Sequence, residues 1–280
     1  MIGALRPVLD HPAALVRVRL AERTPLSPTI SRIRLEPVGP EDVVALAAAG
    51  AGSPDDRIKL FLPDPATGYL VPPRIAPDGA IVRAADAVSI SRDFTRVDPR
   101  VTGDAGAIEI DSVSFASPGP ATAWLHGHTE HSTELGAEAV VALPRTSRAL
   151  PAAADVERAL LVVDETGIAA LSGMLAALDP AIRATVIVIG DEDGYESALS
   201  PRLAARASVE WLYRIDGPGQ LEEAVRSVPL GERDWLWAVG EASELAAARR
   251  SLPGALPAER AEFTGYWRRG RVNFDPDEQI

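Results

Sequence analysis

Ala159-Leu-Leu-Val-Val163 is a run of apolar, mostly branched residues without a polar break, and Asp164-Glu-Thr-Gly167 follows it directly. A helical stretch over Ala169–Leu178 comes next, then a second apolar run, Ala184-Thr-Val-Ile-Val-Ile189. Continuous rather than alternating hydrophobicity marks strands buried on both faces, the habit of a parallel sheet covered by helices. The pattern continues through Val209-Glu-Trp-Leu-Tyr213, a helical stretch at Gln220–Val228, Trp235-Leu-Trp-Ala-Val239 and a helix at Ala242–Arg250. Such strand–helix alternation predicts a doubly wound parallel sheet.

Upstream the texture is different. Val16-Arg-Val-Arg-Leu20 and Ile30-Ser-Arg-Ile-Arg-Leu35 alternate apolar and charged residues with period two. Ile58–Leu62, Val88-Ser-Ile90 running on towards Thr95, Ala107–Val113 and Ala139–Leu143 read as further strands. Pro, Gly and Asp clusters such as Pro63-Asp-Pro65 and Pro72-Pro73 separate them. Short strands with one charged face predict a small antiparallel barrel. Glu41–Ala51 is Ala-rich and fits a short helix or a loop insertion. The change of texture falls between Leu143 and Val156, which gives a barrel domain over 1–150 and an α/β domain over 151–280.

The chain has 280 residues and a formal charge of −12, which disfavours general nucleic-acid binding, because phosphate contacts need clustered Lys and Arg. It contains no Cys, which excludes disulfides, thiolate metal sites and Cys nucleophiles. No apolar run approaches the ~20 residues that cross a bilayer, and the first residues lack a signal-peptide profile, so a cytoplasmic chain without membrane insertion is expected.

No G-x-G-x-x-G follows any strand. Asp164-Glu-Thr166 leads into a helix, either as a plain N-cap or as an anion seat, and Gly240-Glu241 ends another buried strand. Ligands of open parallel sheets bind outside the carboxyl ends of the strands, where both turns belong. In the barrel half, alternation sends Arg92 and Phe94 to one face and Asp93 and Thr95 to the other. An Arg can fork onto a diphosphate and a ring can cover a planar heterocycle, but these residues taken alone favour a surface strand with one core Phe. Gly119-Pro-Ala-Thr122, with Trp124 behind it, makes a turn before a possible helix start. His126, His128 and His131 do not share one helix face, so a solvated polar segment is expected there and no metal site. Phe263–Gly270 is an aromatic and basic cluster that reads as a plug docking the tail onto the core, compatible with lining a ligand.

Together these motifs resemble the siderophore-interacting protein family, the FAD-dependent ferric-siderophore reductases of the ferredoxin-reductase-like flavoproteins. Asp56-Arg-Ile-Lys-Leu-Phe-Leu-Pro63 resembles its D-x-[IV]-K-L-x-x-P strand, and Arg92-Asp-Phe-Thr95 its R-x-[YF]-[TS] flavin motif. Gly119-Pro-Ala-Thr122 with Trp124 resembles its diphosphate loop, Asp164-Glu-Thr166 its D-E-T turn, Gly240-Glu241 its A-G-E turn and Gly265-Tyr-Trp-Arg268 its tail. The chain departs from the family's pattern in four places. Thr95-Arg-Val-Asp-Pro99 is shortened, leaving Arg96 as the only candidate for a second motif Arg, and Ser114–Ser117 replaces a His-Gly. Gly167 stands where the D-E-T-A turn has Ala, and Val239 where A-G-E has Ala.

The resemblance implies a flavin-binding barrel followed by a nicotinamide-binding domain. Arg92 and Gly119, Pro120, Ala121 and Thr122 would hold FAD, with Phe94 and Thr95 at its ring. Asp164, Glu165, Thr166, Gly240, Glu241 and Trp267 would hold NADH or NADPH. Electrons would pass to Fe³⁺ in an anionic siderophore, with Lys59, Arg83 and Arg96 as candidate cations facing it. The alternatives are a siderophore or ligand binder whose flavin site has eroded, and a general flavin reductase.

Overall fold

The computed structural model describes residues 5–50, 52–84, 90–114, 118–129, 134–191, 193–252, 254–271 and 274. The chain divides into two compact units, Val8–Ala149 and Leu150–Ile280, the second joined by the leading Met1–Pro7. Arg6 is tied to that second unit: its guanidinium lies 3.2 Å from Glu262 and 5.5 Å over the ring of buried Trp235.

In the first unit, β1 (Leu15–Pro25), β2 (Ile30–Pro37), α1 (Pro40–Ala49), β3 (Arg57–Leu62), β4 (Ile90–Thr95), β5 (Ile108–Val113), α2 (Pro120–Leu125) and β6 (Glu138–Ala142) follow in chain order. The ambiguous Ala-rich stretch is thus helical, with Pro40 at its first turn and Gly50 at its end. Residues 85–89, where the β4 strand was expected to begin, lie outside the described residues. The six strands form one antiparallel sheet in the order β4-β3-β6-β1-β2-β5. The Arg96↔Ile110 bridge brings its two edges together as a nearly closed barrel. Alternation explains the curl: Val16, Val18, Leu20, Ile33, Leu35, Ile58, Leu60, Ile108, Ile110 and Val141 fill one buried cluster. Their charged neighbours pair across strands on the wet side, Arg17 with Glu138 at 2.8 Å and Arg19 with Glu36 at 2.9 Å. Those pairs are exposed and screened by solvent, so burial rather than charge holds the barrel.

The second unit carries β7 (Arg158–Asp164), α3 (Ile168–Ala177), β8 (Arg183–Gly190), β9 (Ala207–Tyr213), α4 (Gln220–Ser227), β10 (Asp234–Glu241), α5 (Ala242–Arg250) and β11 (Ala261–Trp267). All five strands run parallel in the order β9-β8-β7-β10-β11. Leu160, Val162, Ile187, Leu236 and Ala238 pack against α4 and α5 on one face. α3 covers the other, beside Val163 and Val239. The tail expected as a plug is instead an edge strand: Phe263 and Thr264 pair with Ala238 and Val239 in register, so the aromatic cluster extends the sheet. Among the described residues no helix is long and apolar enough to cross a membrane.

Gly167 and Val239, the two positions where the resembled turns carry Ala, crowd one another. A Cβ on Gly167 would sit 2.7 Å from Val239 Cγ2 and 2.9 Å from Val163 Cβ. The larger Val239 occupies the room that an Ala at 167 would need, so the pair exchanges bulk across the helix–strand contact. Gly167→Ala is expected to cost about 1–3 kcal/mol in denaturant unfolding, as overpacking does. Adding Val239→Ala should recover part of that loss, the 2.9 Å approach to Val163 Cβ remaining; strictly additive effects in the double-mutant cycle would show the two positions to be independent.

Candidate functional site

On the barrel, β3 and β4 pair Ile58 with Phe94, Lys59 with Asp93 and Leu60 with Arg92. Directly opposed residues share a face, so Arg92 and Phe94 lie on the side of Ile58 and Leu60, and Phe94 packs on the barrel cluster. Beyond a 3.2 Å bond from Nη1 to the Ser91 carbonyl, the half-buried Arg92 guanidinium has no partner among the described residues. Helix α2 packs beside β4 and β5. Gly119 precedes it as N-cap and Pro120 opens it, without a side-chain cap. The N–H groups of Ala121 and Thr122 therefore have no acceptor among the described residues, and nothing lies within 4 Å of a Cβ placed on Gly119. Buried Trp124 and Leu125 seat the helix. A free guanidinium, an aromatic ring and open amides fit a dinucleotide diphosphate and its planar ring.

Thr95 is not gathered with them. It opposes Arg57 on the other face and is buried. The three cations expected at the substrate also separate. Lys59 and Arg83 belong to the side of β3 and β4 opposite Arg92, Lys59 Nζ lying 2.8 Å from the Asp93 carboxylate. The Arg83 guanidinium bonds Ser91 Oγ and stacks 5.2 Å over Phe61. Arg96 is no surface cation at all: it is 6% exposed and its Nη1 donates to the Gly50 carbonyl at 2.9 Å. Burial lowers its pKa, against the pull of Asp98 and Asp56. The shortened loop turns this residue into the barrel's closing contact. His126 Nε2 lies 3.2 Å from Ser112 Oγ, and burial pulls its pKa down; His131 lies outside the described residues, as do 115–117 of the missing His-Gly.

On the parallel sheet, the turn residues and the tail do converge. Asp164, at the carboxyl end of central β7, is 1% exposed. Its Oδ1 accepts from Thr166 N at 2.8 Å and Thr166 Oγ1 at 2.5 Å, and its Oδ2 from Trp267 Nε1 at 2.7 Å. Gly240 has φ +148°, and a Cβ there would meet Asp164 Cγ at 2.7 Å, so the close approach requires glycine. Glu241 caps α5 through Glu244 N at 2.8 Å and holds the tail through Arg269 N at 3.0 Å. The turn amide at Thr166 is thus already satisfied, and Glu241 has both oxygens engaged. Both residues shape the edge rather than offering it free groups.

Sequence reading missed the residue at the centre of this edge. Arg214, just past β9, forks Nε and Nη2 onto Glu244 at 2.8 and 2.9 Å. Its Nη1 reaches Glu165 at 2.9 and 3.1 Å and Asp191 at 3.0 Å. The guanidinium also lies 5.9 Å from the Trp267 ring centroid, with that of Arg269 at 5.6 Å. Burial, then the Asp164 charge, pushes Glu165 up to about 7 although Arg214 opposes it. Burial likewise raises Asp164, and Glu244, Glu165 and Asp164 raise Arg214 although its own burial works the other way. No motif around Tyr213-Arg-Ile-Asp216 announces this role; only its place just after the third apolar run could have done so.

The sequence matches the siderophore-interacting FAD-binding domain over residues 19–132 and the siderophore-interacting protein family over residues 156–270. Among solved structures it is similar to a siderophore utilization protein from T. fusca, at 25% identity and a TM-score of 0.76, covering 97% of this chain and 99% of that one. The siderophore-interacting protein SipS from Aeromonas hydrophila is similar at 23% identity and a TM-score of 0.66, covering 93% of each. A likeness of fold extends to the FAD/NAD binding domain of a nitric oxide dioxygenase from Vibrio cholerae, at 13% identity and a TM-score of 0.57, covering 92% of this chain and 99% of that one. No curated protein matches the sequence. With one profile on the antiparallel barrel and the other on the parallel sheet, on a ferredoxin-reductase-like fold, this chain belongs to the siderophore-interacting protein family.

Proposed function

We propose that the protein is a ferric-siderophore reductase that takes electrons from NADH or NADPH and passes them through FAD to siderophore-bound Fe³⁺, releasing Fe²⁺. The observation that carries the reading is the unspent Arg92 guanidinium on one face with Phe94, beside a helix start with uncommitted amides at Ala121 and Thr122. Bound FAD supplies the exchange between a two-electron hydride donor and two one-electron acceptors. Arg92 would hold the diphosphate with Gly119–Thr122 and Phe94 would lie against the ring, while Thr95, buried on the opposite face, would stay away from it. Trp267 and the carboxyl ends of β7 and β10 receive the nicotinamide nucleotide, with Asp164 fixing the indole. No side chain is called on for acid–base chemistry. Reduction frees iron because hard anionic oxygens prefer Fe³⁺ to Fe²⁺.

A siderophore complex with negative charge approaches a protein of net charge −12, so local cations must act against the overall field. Lys59 and Arg83 are the surface candidates; buried Arg96 is not.

The freshly purified full-length protein, titrated with FAD, should show the visible flavin band and quench flavin fluorescence. Arg92→Ala should weaken FAD binding about 10- to 100-fold, the loss of one charge-assisted contact. Protein that stays colourless with excess FAD would favour the ligand binder instead. With FAD bound, reduction of ferric hydroxamate or catecholate complexes is read by trapping Fe²⁺. Lys59→Ala and Arg83→Ala should raise KM by about 3-fold or more, in keeping with partly screened charges. Unchanged KM in both rejects their role, and equal rates with free flavin as acceptor would make the protein a general flavin reductase.

A further inference from the structure

We propose that this chain takes NADH in preference to NADPH, with Asp191 receiving the adenosine ribose and Arg214 withheld from a 2′-phosphate by its carboxylate partners. The inference rests on the reading of the parallel sheet as the seat of the nicotinamide nucleotide, and deepens it. The strand order β9-β8-β7-β10-β11 is third-second-first-fourth-fifth, with its reversal between β7 and β10. In sheets of this order the nucleotide lies across the carboxyl ends. An acid soon after the second strand accepts from the ribose 2′-hydroxyl, whereas an Arg nearby accommodates a 2′-phosphate. Here the second strand, β8, ends at Gly190 and Asp191 follows; the third, β9, ends at Tyr213 and Arg214 follows.

Each of those two residues has a definite state. The Asp191 side chain is 49% exposed. Its Oδ1 lies 3.0 Å from Arg214 Nη1 and 3.7 Å from Arg269 Nη2, and its Oδ2 has no donor among the described residues. A ribose hydroxyl can donate there. Arg214 is the opposite case: its side chain is 10% exposed and Nε, Nη1 and Nη2 all point at carboxylates of Glu244, Glu165 and Asp191, with Asp164 at 3.7 Å. A phosphate arriving at this edge finds the guanidinium committed and meets the free oxygen of Asp191 first. Like charges brought together in this way are strongly disfavoured, and Arg269, a further cation near Asp191, is 64% exposed, so solvent screens its pull.

The FAD-loaded full-length protein is mixed anaerobically with NADH or NADPH, and bleaching of the flavin band is followed. Binding of ADP-ribose and of its 2′-phosphorylated form is measured separately by calorimetry, which reads the adenosine end without any redox step. NADH should bleach the flavin with kcat/KM about 10- to 100-fold higher, and ADP-ribose should bind tighter by a similar factor. Asp191→Asn, at a half-exposed position, should shrink both ratios about 10-fold by removing the charge. NADPH equal to or better than NADH in either measurement overturns the preference while leaving the nucleotide seat in place. An unchanged ratio in Asp191→Asn removes Asp191 as its cause. Failure of both coenzymes and both fragments to bind overturns the seat itself, and the preference with it.

Discussion

A carboxylate taken out of water at the end of the central strand organises the second unit. Desolvating Asp164 is costly, and the cost is partly offset by the hydroxyl and amide of Thr166, by the Trp267 indole and by the charge of Arg214. Each donor fixes something else. Thr166 sets the turn into α3, Trp267 ties β11 to β7 across β10, and Gly240 has no side chain because the carboxylate stands in its place. Removing the acid alone would take one acceptor from the indole N–H and one nearby charge from Arg214, so the members of this edge are coupled.

The barrel is governed by a different economy of charge. Its alternating strands expose many arginines, and most of those described are paired: Arg17, Arg19, Arg32 and Arg34 all meet carboxylates. Arg92 stands apart because its only described acceptor is the carbonyl of its own neighbour. In an acidic protein an uncommitted guanidinium beside open amides is an arrangement suited to draw in an anion against the overall field.

Much of the architecture is legible from the run Ala159–Val163 and the period-two strands around Val16 and Ile30, because burial on two faces and burial on one leave different patterns. Phe263–Trp267 is harder to read: an aromatic-rich segment at a chain's end packs equally well as a plug or as an edge strand, and only the register with β10 decides. The paired acids and tail of the site are visible as short motifs, yet their states are not. Glu241 looks like a ligand and is a helix cap, and Arg96 looks like a surface cation and closes the barrel. Arg214 gathers partners from positions 165, 191 and 244, and no local spacing encodes a contact assembled from three separate turns.

Arg6 meets Glu262 across 256 positions of chain. At translation rates of about 5–20 residues per second, that guanidinium leaves the ribosome roughly 10–50 s before its acceptor exists. All six barrel strands emerge within this interval, so the barrel can be complete on the nascent chain while the parallel sheet still lacks its edge. Synthesis thus nests one folding event inside the other, and the strand Ala261–Trp267 is the one that engages Arg6.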